Sequence, residues 1–408
     1  MSNYKKVPFF RPVISEDGIS EVVDTLKSGW LTTGPKTKKF EAEFASFVGV
    51  KHAVALNSCT AALHLALEAI GLHRGDMVIL PTMTFAATAE IVRYFDAIPV
   101  FVDCDDRLCI DQTKIKSTIE AINLNRPVAG LKPPYGPLKA IIPVHYGGYI
   151  CDMDNITELA TKHSLEVIED CAHTIPSYYT ANNGDELTHV GKFGKVGCFS
   201  FYANKCITTG EGGMAVTNDK EIADRMRVMS LHGMNNDAWA RFSDHGSWYY
   251  EIVAPGFKYN MTDIAAAIGL HQLERADEFQ VSRERVAVRY NERFSQITEL
   301  QIPPDDPSTK VHSWHLYWLR LNLDKLSIQR AEFIKKLNER GISCSVHWMP
   351  LHLHPYYRQT YGLGEGIFPV SEHEWQRLIS LPIFPSMTDD EIEYVIEVVE
   401  DVARINSL

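Results

Sequence analysis

The feature that most constrains the fold is a regular alternation of short apolar runs with amphipathic stretches between residues 52 and 217. The runs are rich in Val, Ile and Phe and lie at residues 52–56, 77–80, 98–102, 140–144, 165–168, 196–201 and 214–217. Helix-like stretches separate several of them, at 60–70, 86–95 and 154–163. Apolar strands that alternate with helices are typical of a mainly parallel sheet covered on both faces. The pattern therefore predicts a large α/β domain with a seven-stranded sheet flanked by helices.

The pattern changes near residue 272. A long charged amphipathic stretch at 273–299 is followed by a proline-rich segment and a strand pattern at 314–323. A helix predicted over 329–340 ends at Gly341, and the last helix opens with a capping box that begins at Thr388. The sequence therefore predicts a large domain of residues 1–272 and a smaller C-terminal α+β domain of residues 273–408.

Composition excludes several classes of function. The 408 residues carry a formal net charge of -12, which disfavours binding to nucleic acid or to an anionic membrane surface. No apolar run approaches the roughly 20 residues of a membrane span, and the first residues lack the apolar core of a signal peptide. We therefore expect a cytoplasmic protein. Eight Cys without a CxxC pair favour reduced thiols over disulfides or a zinc ribbon.

Two of the predicted strand ends carry residues suited to a phosphate and a planar ring. Ligands of open parallel sheets bind beyond the carboxyl ends of the strands. After the first run, Cys59 and Thr60 open an Ala/Leu helix whose free N–H groups could bind phosphate, although an ordinary helix cap has the same pattern. After the second run, Phe85 could stack on a planar ligand, although a core Phe is the alternative.

Two further strand ends carry an acid and an amine. Asp170 follows the fifth run, with His173 three residues later, and a buried carboxylate is costly unless it meets a cation or a donor. Lys205 lies in SFYANKCITTGEGG, just past the sixth run. Burial lowers the pKa of a lysine toward the neutral amine that imine chemistry requires, whereas a lysine that only reaches for solvent is the alternative.

These four features together match one cofactor. A phosphate-binding helix end, an aromatic ring, an acid and an amine at one sheet edge suit the phosphate, ring face, ring nitrogen and aldehyde of pyridoxal 5'-phosphate (PLP). An acid beside the ring nitrogen keeps it protonated, and the pyridinium stabilises the carbanion that forms when an amino acid loses its α-proton. The combination favours a PLP-dependent enzyme that needs no metal.

Seven segments in order resemble one enzyme family over nearly the whole chain. They are SGWLTTGPKTKKFE, NSCTAALHLAL, TFAAT, IEDCAHT, SFYANKCITTGEGG, GFKYNMTDIAAAIG and VHWMPLHLHPYY. The chain is similar to the fold-type I, PLP-dependent nucleotide-sugar aminotransferases of the DegT/DnrJ family. The resemblance implies PLP transferase fold type I, a homodimer with shared active sites, glutamate as the amino donor and a nucleotide-linked keto sugar as the acceptor.

The same resemblance implies roles for individual residues. Lys205 would bind the cofactor aldehyde covalently and Asp170 would meet the ring nitrogen, so these two are the predicted catalytic residues. Further contacts to the cofactor would come from Cys59, Thr60, Phe85, His173, Ser200 and the partner subunit's Asn260. Contacts to the substrate would come from Thr33, Gly34, Lys258 and His347.

One segment departs from the family pattern. Many relatives read GYNYRM where this chain reads GFKYNM, so Lys258 stands at the usual Asn position and Asn260 at the usual Arg position. The sequence leaves open which of the two contacts the cofactor phosphate. Lys258 could equally face the pyrophosphate of the substrate.

The resemblance also indicates the reaction. Some relatives are dehydratases with His in place of the lysine, so Lys205 favours transamination. VHWMPLHLHPYY looks more like the 4-aminotransferase branch, which implies a UDP-2-acetamido-2,6-dideoxy-hexos-4-ulose as acceptor. The alternatives are a 3-keto UDP- or dTDP-sugar, or a PLP-fold regulatory protein without turnover.

Two other motifs suggest different ligands and are disfavoured. GWLTTGPKT is close to the phosphate-loop pattern, but Pro35 removes a backbone donor and no strand precedes it. His347, His352 and His354 could suggest zinc, but no Cys or carboxylate nearby in the sequence completes a tetrahedral set.

Overall fold

The seven apolar runs form one seven-stranded sheet in the computed structural model, which describes residues 5–180, 187–235, 250–306 and 308–408. The strands of the chain are β1 (His52–Leu56), β2 (Met77–Pro81), β3 (Ile98–Val102), β4 (Leu138–Ile141), β5 (Glu166–Asp170), β6 (Tyr178–Thr180), β7 (Leu187–His189), β8 (Val196–Ser200), β9 (Gly213–Thr217), β10 (Leu300–Gln301), β11 (Thr309–Val311), β12 (Tyr317–Leu321) and β13 (Leu378–Leu381).

Helices precede and follow most of these strands. They are α1 (Glu16–Ser28), α2 (Pro35–Val48), α3 (Cys59–Ala69), α4 (Ala87–Arg93), α5 (Gln112–Asn123), α6 (Met153–Lys162), α7 (Lys220–Ser230), α8 (Asp263–Glu274), α9 (Ala276–Phe294), α10 (Arg330–Glu339), α11 (Pro355–Tyr361), α12 (Pro369–Arg377) and α13 (Asp389–Ile405). Among the described residues, none of the helices combines the length and the hydrophobicity that a membrane span requires.

The large sheet is mainly parallel, as predicted. Its strand order is β1-β9-β8-β5-β4-β2-β3. The neighbours from β8 to β3 pair in parallel, and β9 is antiparallel to both β1 and β8. Six strands therefore point the same way and only β9 is reversed. As a result, the carboxyl ends of β1, β2, β4, β5 and β8 meet at one edge.

Both faces of this sheet are covered. Side chains of β1 alternate between two hydrophobic cores, with Ala53 and Ala55 in one and Val54 and Leu56 in the other. Helices α2 and α8 supply the first core, and α3, α4 and α7 supply the second. This arrangement confirms the predicted α/β class, because strands buried on both faces need apolar residues at every position.

The C-terminal part of the chain has its own core. The antiparallel sheet β10-β12-β13 packs with α9, α10 and α13 around buried residues of the C-terminal third. Val7 also belongs to this core and pairs with Ile342. The boundary predicted between residues 272 and 273 lies inside α8, and the division into two domains stays a prediction.

Local signals in the sequence have the expected structural effects. The Thr388 hydroxyl accepts a hydrogen bond from the Glu391 N–H, and the Glu391 carboxylate accepts one from the Thr388 N–H. These reciprocal bonds form the predicted capping box of α13. Gly341 follows α10 with a φ of 82°, a left-handed conformation that favours glycine. All eight Cys are free thiols.

Candidate active site

A cavity of about 490 Å³ opens where the carboxyl ends of the parallel strands meet. Its walls come from the segments after β1, β2, β4, β5 and β8, together with residues of the C-terminal part. Eight of the predicted site residues line it, namely Cys59, Thr60, Phe85, Asp170, His173, Ser200, Lys205 and His347. The sheet topology therefore brings together residues that are up to 288 positions apart in the chain, the separation between Cys59 and His347.

One end of the cavity is suited to an anion. The Ser58 hydroxyl caps α3 by accepting the Ala61 N–H at 3.0 Å, and Cys59 and Thr60 form the first turn. N–H groups in the first turn of a helix have no partner within the helix and lie at its positive end. β9 approaches closely, because a Cβ at Gly213 would lie 2.4 Å from the Ser58 carbonyl carbon.

Asp170 and Lys205 are buried groups of opposite charge at the same cavity. The Asp170 carboxylate accepts hydrogen bonds from Thr88 Oγ1 at 2.9 Å and from the Ala172 N–H at 3.2 Å. Burial raises the pKa of Asp170, against the effect of these donors and of Lys205. Burial also lowers the pKa of Lys205, and the charge of Asp170 opposes this shift. Burial thus moves both groups toward their neutral forms.

His173 is held as a neutral imidazole. Its Nδ1 accepts the Gly147 N–H at 3.0 Å, so the ring proton resides on Nε2. Burial and the charge of Lys205 hold its pKa well below the usual value. The ring stacks on Trp348, with centroids 5.2 Å apart, and lies 4.2 Å from the ring of His315. The structure therefore provides an oriented N–H donor near the acid and the amine.

Phe85 and His347 lie at the rim and in the wall of the cavity. Phe85 is 61% exposed, so the alternative of a core Phe is wrong. His347 Nδ1 lies 2.7 Å from Ser380 Oγ, and burial together with the charge of Lys205 lowers the pKa of His347 to about 4.

The other four predicted residues lie outside this cavity within the same chain. They are Thr33, Gly34, Lys258 and Asn260. Lys258 Nζ donates to Asn260 Oδ1 at 2.6 Å, and Asn260 Nδ2 donates to Thr33 Oγ1 at 2.6 Å. The Gly34 N–H donates to the Asp263 carboxylate at 2.8 Å. The two loops are thus joined to each other, away from Lys205.

Some cavity residues were not predicted from the sequence. Thr88, His145, His315 and Trp348 all line the cavity. Thr88 and Trp348 lie within segments that carry the family resemblance, which is a signal that could have identified them. His145 and His315 carry no such signal. His315 is 5% exposed, and within the described part of the chain its Nδ1 has no hydrogen-bond partner.

The histidines that could have suggested zinc have other partners. His352 Nδ1 lies 2.7 Å from Thr82 Oγ1, and its Nε2 lies 3.0 Å from Glu372. The ring of His354 contacts a backbone carbonyl through Nε2. His347 Nδ1 contacts Ser380. In each of the three histidines, one or both ring nitrogens are therefore engaged by a hydrogen-bond partner other than a metal ion.

The residues of the cavity fit PLP. The first turn of α3 suits a phosphate, Asp170 suits a protonated ring nitrogen, and Lys205 is an amine whose pKa is lowered. Two buried polar atoms of the lining, His315 Nδ1 and Asn204 Oδ1, have no hydrogen-bond partner among the described residues and are available to a ligand. The fold and the cavity therefore define a PLP-dependent transferase of fold type I.

The chain belongs to the DegT/DnrJ/EryC1/StrS aminotransferase family, whose model matches residues 12–400. It is 46% identical over 400 residues to the spore coat polysaccharide biosynthesis protein SpsC of Bacillus subtilis, covering 98% of this chain and 97% of that protein. The solved PLP form of Spr1654 from Streptococcus pneumoniae matches with a TM-score of 0.86 and 30% identity, over 98% of this chain and 99% of that chain.

A further similar structure is the Helicobacter pylori aminotransferase PseC, which is involved in the biosynthesis of pseudoaminic acid. It matches with a TM-score of 0.85 and 26% identity, over 98% of this chain and 100% of that chain. These similarities confirm the predicted family, the PLP cofactor and the enzyme class. The protein is a PLP-dependent sugar aminotransferase.

Proposed function

We propose that this enzyme transfers an amino group from glutamate to C4 of a nucleotide-linked keto sugar, a UDP-2-acetamido-2,6-dideoxy-hexos-4-ulose. The main support for amino-group transfer is that Lys205 and Asp170 line the same cavity, beside the first turn of α3, which is suited to an anion. The choice of C4 is supported by the resemblance of VHWMPLHLHPYY to the 4-aminotransferase branch.

The proposed catalytic residues act on protons. PLP, when bound, carries the amino group between donor and acceptor and stabilises negative charge at the reacting carbon. Lys205 Nζ, whose pKa burial lowers, would remove the α-proton of the donor and would serve again for the keto sugar. Asp170 would hold the proton of the ring nitrogen of bound PLP, and His173 Nε2–H would donate to its ring hydroxyl.

Other residues of the cavity would hold and cover the cofactor. The N–H groups of Cys59 and Thr60 and the hydroxyl of Ser200 would bind its phosphate. Phe85, which is exposed at the rim, would cover one face of the ring. His347 would contact the sugar from the wall formed by the C-terminal part.

A homodimer would complete the site. Among the described residues that line the cavity, Lys205 is the only Lys or Arg, yet a nucleotide sugar carries two phosphates. Lys258 and Asn260 lie outside the cavity of their own chain, which supports their delivery by a neighbouring copy. The partner subunit's Lys258 would then supply the missing positive charge, and Thr33 and Gly34 would accompany it. The free thiols support a reducing, cytoplasmic location.

The acceptor can be tested with a panel of substrates. UDP- and dTDP-linked 3-keto and 4-keto sugars are each offered with glutamate, release of 2-oxoglutarate is followed, and NMR identifies the aminated carbon. We expect amination at C4 of the UDP-linked acetamido sugar and no turnover by Lys205→Ala. Amination at C3, or a preference for dTDP-sugars, would support the alternative acceptor. Turnover by Lys205→Ala without an added amine would contradict the role of Lys205.

A further inference from the structure

A second buried carboxylate lies beside the catalytic acid. Glu169 directly precedes Asp170 on β5, so the two side chains point to opposite sides of the strand. Glu169 is fully buried. It accepts hydrogen bonds from the Gly191 N–H at 2.9 Å and the Gly194 N–H at 2.7 Å, and its Oε2 lies 3.2 Å from His145 Nε2. These three donors offset the cost of removing the carboxylate from water.

The two glycine donors connect Glu169 to the strand that leads to Lys205. Gly191 and Gly194 belong to the loop that enters β8, and β8 ends five residues before Lys205. This loop packs tightly against the sheet, because a Cβ at Gly194 would lie 2.5 Å from the Val167 carbonyl oxygen. Glu169 therefore holds the beginning of β8 against β5.

The imidazole donor connects Glu169 to the segment after β4. The His145 backbone N–H donates to the Asp170 carbonyl at 3.2 Å. His145 Nδ1 accepts the Cys151 N–H at 3.2 Å, so the ring proton on Nε2 faces Glu169. His145 is also one of the residues that line the cavity. Two residues further on, Gly147 orients His173.

A metal site is a weaker interpretation of this cluster. The ligand atoms of His145, Glu169 and Cys171 all lie within 4.8 Å of one another. However, both ring nitrogens of His145 and both carboxylate oxygens of Glu169 already have hydrogen-bond partners. A metal ion would have to displace several buried hydrogen bonds, so the cluster fits an internal anchor better than a cation site.

We propose that Glu169, acting through His145, is a positioning residue that fixes the carboxylate of Asp170 relative to Lys205. Glu169 is bonded to the segments after β4 and before β8, which are the two strands on either side of β5. Removing the anchor would let the acid and the amine shift relative to each other, and a displacement of about 1 Å can cost about 100-fold in rate. The inference rests on the proposed role of Asp170.

Several other titratable groups face this arrangement and must stay unchanged in a test. Around Asp170 and Lys205 they are Cys59, Cys198, Cys206, His173, His315 and His347. Around Glu169 they are His145, Cys171 and His189. None of them is altered by the substitutions below, apart from His145 itself.

The test is the pH titration of the visible absorbance of the purified holoenzyme without substrate. Glu169→Gln keeps the size of the side chain but presents an N–H₂ group to donors that need an acceptor. If Asp170 is displaced, the ring nitrogen of the cofactor loses its proton, and its positive charge, more easily. Without that nearby positive charge, the nitrogen that joins Lys205 to the cofactor has a higher pKa and keeps its proton to higher pH. For Glu169→Gln, we expect the midpoint of this absorbance titration to rise by about half a pH unit or more. We also expect kcat to fall by about 10- to 100-fold.

A second substitution tests the path through His145. His145→Phe replaces the imidazole with another aromatic ring that has no N–H to face Glu169. It should therefore also raise the midpoint of the titration. If the two residues act as one unit, the double variant moves it no further than the larger single change. Additive shifts, or a wild-type midpoint in Glu169→Gln, would overturn the proposal.

The matched control is another buried carboxylate that accepts several hydrogen bonds. Asp103 accepts them from the Cys104 N–H, from the Val370 N–H and from the N–H and hydroxyl of Ser371, and it does not line the cavity. Asp103→Asn should lower thermal stability but leave the midpoint unchanged, and an equal shift in this control would also overturn the proposal. Asp170→Asn separates the hypotheses. If Asp170→Asn leaves the titration midpoint unchanged, the proposed role of Asp170 is wrong. If Asp170→Asn shifts the midpoint and Glu169→Gln does not, only the proposed positioning role of Glu169 is wrong.

Discussion

At the scale of single residues, burial has opposite consequences for chemistry and for stability. Desolvation raises the pKa of Asp170 and lowers the pKa of Lys205, which favours the neutral amine that the reaction requires. The same desolvation penalises the charged forms of both groups in the cofactor-free protein. Catalytic residues of this kind are therefore expected to reduce the stability of the fold until the cofactor binds.

Asp170→Asn should stabilise the cofactor-free protein at neutral pH. The pKa of Asp170 is raised in the folded state. Its favourable contribution to the free energy of unfolding is therefore fully present below the unfolded pKa and is lost as the pH rises through the folded pKa. Above that range the carboxylate costs about 1.4 kcal/mol for each unit of the shift. Asn carries no such charge and can still bond to Thr88 and Ala172.

Thermal unfolding with and without PLP measures this effect. Without the cofactor, we expect the variant to have the higher Tm at pH 7, and the difference should disappear near the unfolded pKa of about 4. With PLP the order should reverse, because the variant loses the charge that meets the ring nitrogen. A wild-type protein that is more stable than the variant at pH 7 without PLP would contradict this account.

At the scale of secondary-structure elements, the anion-binding end depends on close contact between β9 and α3. Gly213, the last glycine of the GEGG segment, lets the backbone of β9 approach the backbone of Ser58 and Cys59. The conformation of the first turn of α3 is therefore set in part by a strand that itself points the other way.

Gly213→Ala should weaken cofactor binding more than it weakens folding. The added Cβ would lie 2.4 to 2.5 Å from backbone atoms of Ser58 and Cys59, so the first turn of α3 must move. We expect the Kd for PLP to rise about 10-fold or more, since a 10-fold change corresponds to about 1.4 kcal/mol. Equilibrium dialysis of the purified protein measures it.

The matched control for this prediction is Gly364→Ala. No atom of the described residues lies within 4 Å of a Cβ at Gly364, and the φ of Gly364 is outside the left-handed range. This variant should bind PLP like the wild type. If Gly213→Ala also binds PLP with unchanged affinity, the close contact does not control the anion-binding end.

At the scale of the whole molecule, the proposed site depends on two chains. The loop with Lys258 and Asn260 is bonded to Thr33 and, through the backbone of Tyr259, to Asn57, which precedes α3. It is thus attached to the body of its own chain, although it does not enter the cavity of that chain. A loop held firmly in this way is suited to serve a neighbouring copy.

Mixed dimers can test whether the loop acts across the interface. One chain carries Lys205→Ala and the other carries Lys258→Ala with Asn260→Ala, each with its own affinity tag. If the loop serves the partner, the mixed dimer contains one complete site and should show about half of the wild-type activity, because a symmetric dimer has two equivalent sites. Both homodimers of the variant chains should be much less active.

The reciprocal mixture is the control. A chain with all three substitutions is paired with a wild-type chain, and the only Lys205 present then meets a substituted partner loop. This dimer should be nearly inactive if the loop acts across the interface and active if it acts within its own chain. Activity in this mixture, with none in the first, would contradict the shared site.

The amino-acid sequence by itself determined the class of fold and eight of the residues that line the cavity. Apolar runs of strand length separated by helices allow few arrangements other than a covered parallel sheet, and all seven predicted strands lie in it. Because parallel strands place their carboxyl ends at one edge, residues such as Asp170 and Lys205 could be expected to meet there. Both follow from spacing along the chain, which a sequence displays directly.

Only the tertiary structure decided which distant side chains complete the site. His145 and His315 line the cavity, and Glu169 anchors its walls, because strands and loops far apart in the chain pack together. The structure also placed Lys258 and Asn260 outside the cavity of their own chain. Such contacts depend on how whole elements pack in three dimensions, and no local pattern of residues encodes that packing.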